Sequence, residues 1–298
     1  MSDISLPREQ SMGRIVLRRF FKHKLAGIAI GILLILILVA AFAGLNSHNP
    51  LEQNPTNSFA TPNATNWFGT DELGRDVLSR IMYGGRVSLA VGLLSTLLSI
   101  LLGITVGALS GYFGGWLDST LMRVTDAFLT FPTIFVLIIL GAFLREQQLF
   151  ILQNSIFVVI IIIAALSWMW PARLVRGLFL VLREKEFVTA SRALGGSDFR
   201  IIVQHILPNC MGPILVSGTL QMASAIITES GLSYLGFGVQ PPTPTWGSIL
   251  STAQNQIFRA PWLGFFPGFM IFITVMAINY IGDGLRDAFD PYVIHSEK

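Results

Sequence analysis

Six long apolar stretches constrain the fold of this chain more than any other feature of its sequence. A helix that crosses a bilayer core of about 30 Å needs about 20 predominantly apolar residues. The stretches that approach this length are roughly Leu25–Leu45, Val87–Leu109, Ala127–Leu144, Ser155–Ala172, Pro213–Leu235 and Leu263–Ile281. Only 12% of the residues are charged, against about 25% in soluble domains. We therefore predict an all-α membrane protein with six transmembrane helices, most of whose surface faces the lipid bilayer.

The positions of lysine and arginine predict how these helices are oriented. Six crossings place both termini on one side, and an N-in, C-in arrangement puts 15 of the 20 Lys and Arg residues in cytoplasmic segments. Cytoplasmic loops are enriched in these residues, so we predict this arrangement. The chain then divides into a cytoplasmic segment 1–24, a first span and outer loop 25–85, a core 86–283 with spans two to six, and a cytoplasmic tail 284–298.

Glycines recur every four residues near the inner end of the second predicted span, at Gly103, Gly107, Gly111 and Gly115. Small residues let two helices approach closely in a membrane, where burial from water adds no driving force. The pattern predicts a close helix contact. Packing within the chain is the interpretation that we favour, and a contact with another subunit is the alternative.

The outer loop contains an amphipathic segment, residues 70–86, just before the second span. Thr70 is a suitable N-cap for a helix there. Two pairs have an acid four residues before a base, the order that stabilises a helix. They are Asp71/Arg75 and Asp76/Arg80. Two interpretations remain open, namely a helix that lies on the outer membrane surface and a helical extension of the second span.

Two residues are candidates for a translocation path. Glu229 lies in the fifth predicted span, where an ionisable group is costly and by default functional. Trp246 belongs to the outer segment 236–262, in which Ser248–Ile257 could form a short helix that dips back and lines or plugs the outer mouth of a path. The alternatives are an acid that is hydrogen-bonded to neighbouring hydroxyls or to another span, and a plain connecting loop.

The motifs of soluble enzymes are missing from the sequence. It has no G-x4-G-K-[ST] phosphate loop, no H-E-x-x-H and no G-x-S-x-G. Its four histidines are not paired at ligand spacing, and its one cysteine excludes an internal disulfide. The net charge of +3 is small and lies beside the apolar segments, which argues against nucleic-acid binding. We expect no enzyme activity, no metal and no cofactor in this chain.

A charged segment at 183–209 interrupts the apolar pattern on the predicted cytoplasmic side. Its small apolar stripe, which recurs at helical spacing, consists of Phe187, Ala190, Ala193 and Leu194. Gly195-Gly196 is expected to end this helix, with Gly195 in the left-handed conformation. Ser197 or Asp198 can cap a second helix, which we expect Pro208 to end.

The fourth span is expected to continue as a helix past Arg173 into water. The span and the bent helix–Gly–helix segment would then form a rigid lever. A soluble partner that grips the bend could drive such a lever.

The same segment resembles the "EAA" loop of the inner-membrane permeases of binding-protein-dependent ABC importers, whose pattern is E-A-A-x3-G-x9-I-x-L-P. Aligned on Gly195, this chain has Thr189, Ala190 and Ser191 before the glycine and His205-Ile206-Leu207-Pro208 after it. It departs from the pattern at Thr189, Ser191 and His205. Glu186 lies one turn before the position at which the pattern has its acid.

Three further stretches resemble the C-type permeases of the dipeptide, oligopeptide and nickel class. They are Phe68–Arg80, Gln240–Gly247 and Gly282–Pro291. The resemblance implies a homologous B-type permease partner, two cytoplasmic ATPase subunits, an extracytoplasmic solute-binding protein and a bacterial or archaeal plasma membrane. It also implies that the bend docks into a groove on an ATPase.

We therefore predict a permease subunit that forms half of a path for short peptides. The residues expected to couple it to the ATPase are Glu186, Phe187, Thr189, Ala190, Ser191, Arg192, Ala193, Leu194, Gly195 and Gly196. Nickel and glutathione remain alternative cargoes. A self-contained secondary transporter or channel is the less favoured alternative, because such proteins place charges or broken helices at the midplane and only Glu229 is a candidate.

Overall fold

The computed structural model describes residues 12–46, 48–146 and 155–289. Residues 1–11, 47, 147–154 and 290–298 lie outside the described residues. The helices are α1 (Met12–Lys22), α2 (Lys24–Ala41), α3 (Val77–Phe113), α4 (Gly115–Thr130), α5 (Thr133–Glu146), α6 (Ser155–Ser167), α7 (Met169–Leu182), α8 (Glu186–Ala193), α9 (Asp198–Arg200), α10 (Leu207–Tyr234), α11 (Trp246–Ala253) and α12 (Trp262–Phe289).

Four of the described helical segments are long and apolar enough to cross a membrane. They are Lys24–Leu45, Val77–Phe113, Asp198–Tyr234 and Trp262–Phe289. Two bent pairs, α4 with α5 and α6 with α7, raise the number to six if each pair is one span. The predicted all-α membrane fold is confirmed. The N-in, C-in orientation and the division into segments stay predictions.

The third predicted span, Ala127–Leu144, contains a bend. The chain bends by 90° between α4 and α5, and Phe131 at the bend has extended backbone angles of φ −84° and ψ 137°. Pro132 explains the bend, because a proline disfavours helical geometry at the residue before it. Ala127 to Thr130 therefore belong to α4 and lie on the other side of this bend from α5.

The fourth span is broken, so the prediction of a continuous rigid lever was wrong. The axes of α6 and α7 differ by 42°. Pro171 has no N–H to donate to the carbonyl of Ser167 four residues earlier. Gln221 of α10 takes that place, since its Nε2 donates to the Ser167 oxygen at 2.9 Å. A second break follows α7, which ends at Leu182.

The second span is longer than predicted because the outer amphipathic segment extends it. α3 begins at Val77, and the Asp76 carboxylate accepts a hydrogen bond of 2.8 Å from the Ser79 amide as its N-cap. The helical-extension interpretation therefore holds from residue 77. Thr70 is buried in the preceding loop and caps no helix, contrary to our expectation.

The predicted pair Asp76/Arg80 is replaced by another. Arg80 pairs with the buried Asp71, whose Oδ2 also accepts from the Nε of Arg75 at 2.7 Å. Asp76 is occupied in capping α3 and in accepting a hydrogen bond from Asn66. The outer loop is thereby fastened to the start of α3.

Pro208 does not end the helix that begins after the glycines. Ser197 caps that helix, and it continues through a π-helical segment, Ile201–Ile206, into α10. The Leu207 N–H donates to the Ile202 oxygen, five residues earlier. The wider turn accommodates the missing N–H of Pro208 without ending the helix.

The glycines of α3 form a close contact with α7. A Cβ atom on Gly103 would lie 2.5 Å from the Pro171 Cβ, and one on Gly107 would lie 2.5 Å from the Ala172 oxygen. On Gly111 it would lie 2.6 Å from the Phe179 Cβ. The contact lies within the chain, the interpretation that we favoured. Gly115 does not belong to this row, because α3 ends at Phe113.

The long helices pack around α3 and α10. α3 lies along α7 and also contacts α6, α10 and α2. α10 lies against α12 and α3, and α12 contacts α2, α11 and α1. This arrangement leaves one face of α10 between α7 and α12, and it places α8 at the end of the bundle where α10 begins and α12 ends.

Candidate functional site

The segment from Glu186 to Arg200, here called the hairpin, consists of α8, a glycine turn and α9. α8 ends in a Schellman motif, since the Gly196 N–H donates to the Ser191 oxygen at 2.9 Å and the Gly195 N–H to the Arg192 oxygen at 3.0 Å. Gly195 has a φ of +79°, as its position in this motif requires. The predicted break at the glycines and its geometry are thus present.

Apolar contacts with α7 and with the π-helical segment anchor the hairpin to the bundle. Val188 of α8 is fully buried in a cluster with Val175 and Phe179 of α7 and with Ile201 and Ile206 of the π-helical segment. Each fully buried aliphatic side chain stabilises such a contact by about 1.5–3 kcal/mol. The hairpin is therefore a fixed part of the subunit and not a loose loop.

A polar contact fixes its second half. The Tyr112 hydroxyl, in the last turn of α3, donates a hydrogen bond of 2.6 Å to Asp198 Oδ1. Ser197, which precedes it, accepts a hydrogen bond from the Arg200 amide. The guanidinium of Arg192 lies 6.0 Å from the Tyr112 ring centroid, and the hydroxyl of that tyrosine raises the pKa of Arg192 above its ordinary value.

A hydrogen bond and two ion pairs connect α7 and its end, from which the hairpin follows, to α3 and α4. Arg183 donates to the carbonyl oxygen of Gly111 at 3.0 Å. Arg176 of α7 holds Asp118 of α4 with two hydrogen bonds of 2.5 and 2.7 Å, and Arg173 pairs with Asp126. Because two-bond arginine–carboxylate pairs are specific in geometry, these contacts fix α7 relative to α3 and α4.

The outer face of the hairpin is exposed and apolar. Phe187, Leu194 and Phe199 are 41%, 89% and 76% exposed. Glu186, Thr189, Ala190, Arg192, Ala193 and Gly195 are exposed as well, and Ser191 and Gly196 are half-buried. Apolar side chains that cluster in this way on a charged segment mark an interaction surface. The structure thus brings all ten predicted coupling residues onto one protrusion.

Four residues of this site escaped the sequence-based prediction. Val188 lies beside the apolar stripe that we identified, yet it is the residue that faces inward. Tyr112 and Arg183 act across the fold, from α3 and from the end of α7. Phe199 follows the glycine turn. A large apolar residue next to Asp198 in a charged segment was the one signal in the sequence that could have identified it as part of the exposed surface.

The two candidates for a translocation path meet in the interior of the outer half. Glu229 is fully buried, and its carboxylate accepts hydrogen bonds from Ser88 at 3.0 Å and Ser233 at 2.7 Å. Trp246 is 2% exposed, and its Nε1 donates to the Ile81 oxygen at 3.0 Å. Its backbone N–H donates to Ser88 at 3.3 Å. Ser88 of α3 thus links the Glu229 carboxylate of α10 to the start of α11 in this conformation.

The outer segment that carries Trp246 contains a short helix. Thr245 and Ser248 form a reciprocal capping box at its start. α11 spans Trp246–Ala253 and buries Ile249 and Ala253 against α12. The predicted short helix therefore exists, but it begins two residues and ends four residues earlier than expected, and it is packed into the bundle. Within the described residues, no three His, Cys, Asp or Glu side chains form a group that could hold a metal ion.

Comparison with known proteins agrees with these observations. The family described as "Binding-protein-dependent transport system inner membrane component" matches residues 103–295, and "N-terminal TM domain of oligopeptide transport permease C" matches residues 11–62. Dipeptide transport system permease protein DppC of Alkalihalophilus pseudofirmus is 42% identical over 93% of this chain and 89% of its own length. Glutathione transport system permease protein GsiD of Shigella flexneri is 41% identical over the same shares.

Among solved structures, inward-facing conformations of the MetNI methionine ABC transporter contain a chain with the same fold. The TM-score is 0.55 at 20% sequence identity, and the match covers 70% of this chain and 95% of that chain. The family match spans most of the chain, and the relatives that it resembles are permeases. This chain therefore belongs to the binding-protein-dependent transport system inner membrane components, and it is an ABC importer permease subunit rather than an enzyme.

Proposed function

We propose that this subunit forms half of a membrane path for short peptides and is driven through the hairpin by a cytoplasmic ATPase. The observation that carries the coupling role is the contrast between the two sides of the hairpin. Val188 and Asp198 fasten it to the bundle, whereas Phe187, Leu194 and Phe199 point away from the bundle, exposed. A soluble partner that covers these apolar side chains would gain about 25 cal/mol per Å² of apolar surface.

Movement of the ATPase would reach the path through contacts already described. A push on the hairpin acts on α7 through Val188 and on α3 through Tyr112. The glycine contacts between α3 and α7 leave little room for independent motion of these helices. We infer that the inner halves of α3 and α7 move as one body, and that the bend at Ser167 separates this body from α6.

The assembly that we propose contains a homologous permease, two ATPase subunits and an extracytoplasmic solute-binding protein in a bacterial inner membrane. Family membership supports this composition in general terms. The chain itself is expected to carry no cofactor. Glu229 and Trp246 stay candidates for the path in another conformation of the subunit.

Short peptides are the cargo that we favour, because the DppC relative is named for dipeptides. Glutathione is the second candidate, because relatives named for glutathione transport are 40–42% identical to this chain. Glutathione is itself a small peptide with free charged groups, so the two cargoes share their chemistry. Nickel stays the third candidate.

The test is ATP-driven uptake by the assembled importer in vesicles. We expect a labelled dipeptide to accumulate only with ATP and with the solute-binding protein. Gly195→Trp and Ala190→Trp, which place bulk on the exposed bend, should abolish uptake while the subunit itself still folds and inserts into the membrane. Uptake that persists without ATP, or that ignores both variants, would contradict the proposal. Competition between the dipeptide and glutathione distinguishes the two cargoes.

A further inference from the structure

A groove on the exposed face of α10 is not used by the coupling site. It has a volume of about 580 Å³ and lies between α7 and α12, in the half of the bundle that carries the hairpin. Pockets for small ligands typically measure about 300–1,000 Å³. Trp170, Leu174, Leu220 and Phe289 contribute large apolar side chains to its walls, and Trp170 is 68% exposed.

Two opposite charges lie at the end of this groove. Asp283 and Arg286 both line it, three residues apart on α12. Side chains at this spacing lie on one face of a helix, with Cβ atoms about 5–6 Å apart. Both are exposed, and within the described part of the chain neither forms an ion pair with another residue. The neighbouring Asp287, in contrast, approaches His23 at 3.8 Å.

We propose that this groove is a binding site for a short zwitterionic peptide on its way out of the path, which rests on the peptide transport proposed above. An extended dipeptide holds its ammonium and carboxylate about 7 Å apart. Asp283 receives the ammonium group and Arg286 the carboxylate. Trp170 and Leu220 contact the side chains without selecting among them, as a transporter of varied peptides requires.

The two charges of the groove favour a peptide over an uncharged occupant. A lipid chain alone would leave the two charges without a role, whereas a zwitterion matches both of them. The exposed charges are screened by water, so each contact contributes little and release remains easy. The site therefore binds weakly.

The experiment uses the whole importer in lipid nanodiscs, without nucleotide, labelled with 5-fluorotryptophan. Trp170→Phe identifies the resonance of Trp170. A dialanine titration should shift this resonance, and N-acetyl or C-amide dialanine should bind about threefold more weakly, in line with the loss of one exposed ion pair. Asp283→Asn should weaken dialanine but leave N-acetyl dialanine unchanged, and Arg286→Gln should weaken dialanine but leave the C-amide unchanged.

Asp287→Asn is the matched control on the same helix and should change none of these affinities. ATP-driven uptake is measured in parallel on the same purified variants reconstituted into lipid vesicles. If dipeptides are taken up but do not shift Trp170, or if the capped peptides bind as well as dialanine, the groove belongs to lipid, to another subunit or to the tail of this chain, and the inference is wrong. If dipeptides are not taken up at all, the proposed peptide cargo is wrong, whatever the titration of the groove shows.

Discussion

The Tyr112 hydroxyl donates a hydrogen bond to Asp198 Oδ1 at 2.6 Å, and this contact joins the end of a 37-residue helix to the hairpin. The two residues are 86 positions apart in the sequence. The bond lies beside the buried Val188 cluster, so a polar and an apolar contact together fix the hairpin on α3 and α7.

Tyr112→Phe tests whether this bond transmits work. A single hydrogen bond contributes about 0.5–1.5 kcal/mol, so the subunit should still fold and assemble. We expect the number of peptides taken up per ATP hydrolysed to fall at least twofold, because the hairpin can then move without α3. Tyr280→Phe is the control, since the Tyr280 hydroxyl has no hydrogen-bond partner among the described residues. If both variants take up the same number of peptides per ATP hydrolysed, the Tyr112 hydrogen bond does not transmit work from the hairpin.

The left-handed backbone at Gly195 makes a second prediction. No atom lies within 4 Å of a Cβ placed there, so a substitution strains the backbone without a clash. Gly195→Ala should destabilise the turn by about 1 kcal/mol, whereas Gly195→Asn, which tolerates this conformation, should be milder. The affinity of the permease pair for the ATPase, measured by titration, should fall more for Gly195→Ala than for Gly195→Asn. A reversed order would show that side-chain size and not backbone strain governs the site.

The contact between α3 and α7 predicts an effect on stability. Gly107→Ala places a methyl group 2.5 Å from the Ala172 oxygen and 2.8 Å from the Val175 Cβ, so one helix must move. Overpacking of this kind costs about 1–3 kcal/mol. The thermal midpoint in detergent should therefore drop. Gly31→Ala is the matched control, because nothing lies within 4 Å of its Cβ position, and a similar drop there would contradict the assignment.

Glu229 gives a prediction that separates structure from transport. Glu229→Gln keeps a polar group between Ser88 and Ser233, and these hydroxyls can donate or accept. Glu229→Leu leaves the hydroxyls of Ser88 and Ser233 without this partner, which costs about 1–3 kcal/mol for each unsatisfied group. We expect the Gln variant to assemble and to transport, and the Leu variant to be depleted from the membrane. A stable Gln variant that transports nothing would instead favour Glu229 as a residue of the path.

The apolar stretches predicted the architecture because a bilayer leaves few alternatives to a helix. Their boundaries differed from the prediction at three prolines. The outcome depended on whether the structure compensates for the N–H that a proline lacks. Pro132 bends the chain by 90°, whereas Pro208 continues a helix because a π-helical turn precedes it. At Pro171 the compensation comes from Gln221, which is 54 residues from the carbonyl that it caps. No local pattern could reveal such a distant partner.

The hairpin was predictable for the opposite reason, since its glycine turn is determined locally. The backbone at Gly195 and the cap at Ser197 follow from residues within four positions. The anchors are long-range, and Val188, Tyr112 and Arg183 could not be separated from their neighbours by sequence alone. The same limit applies to Glu229, whose partner Ser88 is 141 positions away.

Crosslinking from the tip of the hairpin tests the central claim most directly. A photoreactive phenylalanine analogue at Leu194, which is 89% exposed, should link this subunit to an ATPase subunit in the assembled importer. The same analogue at Leu45, 81% exposed at the opposite end of the bundle, should not. If Leu194 yields no link to the ATPase, or if Leu45 yields the same one, the hairpin is not the contact through which this permease is driven.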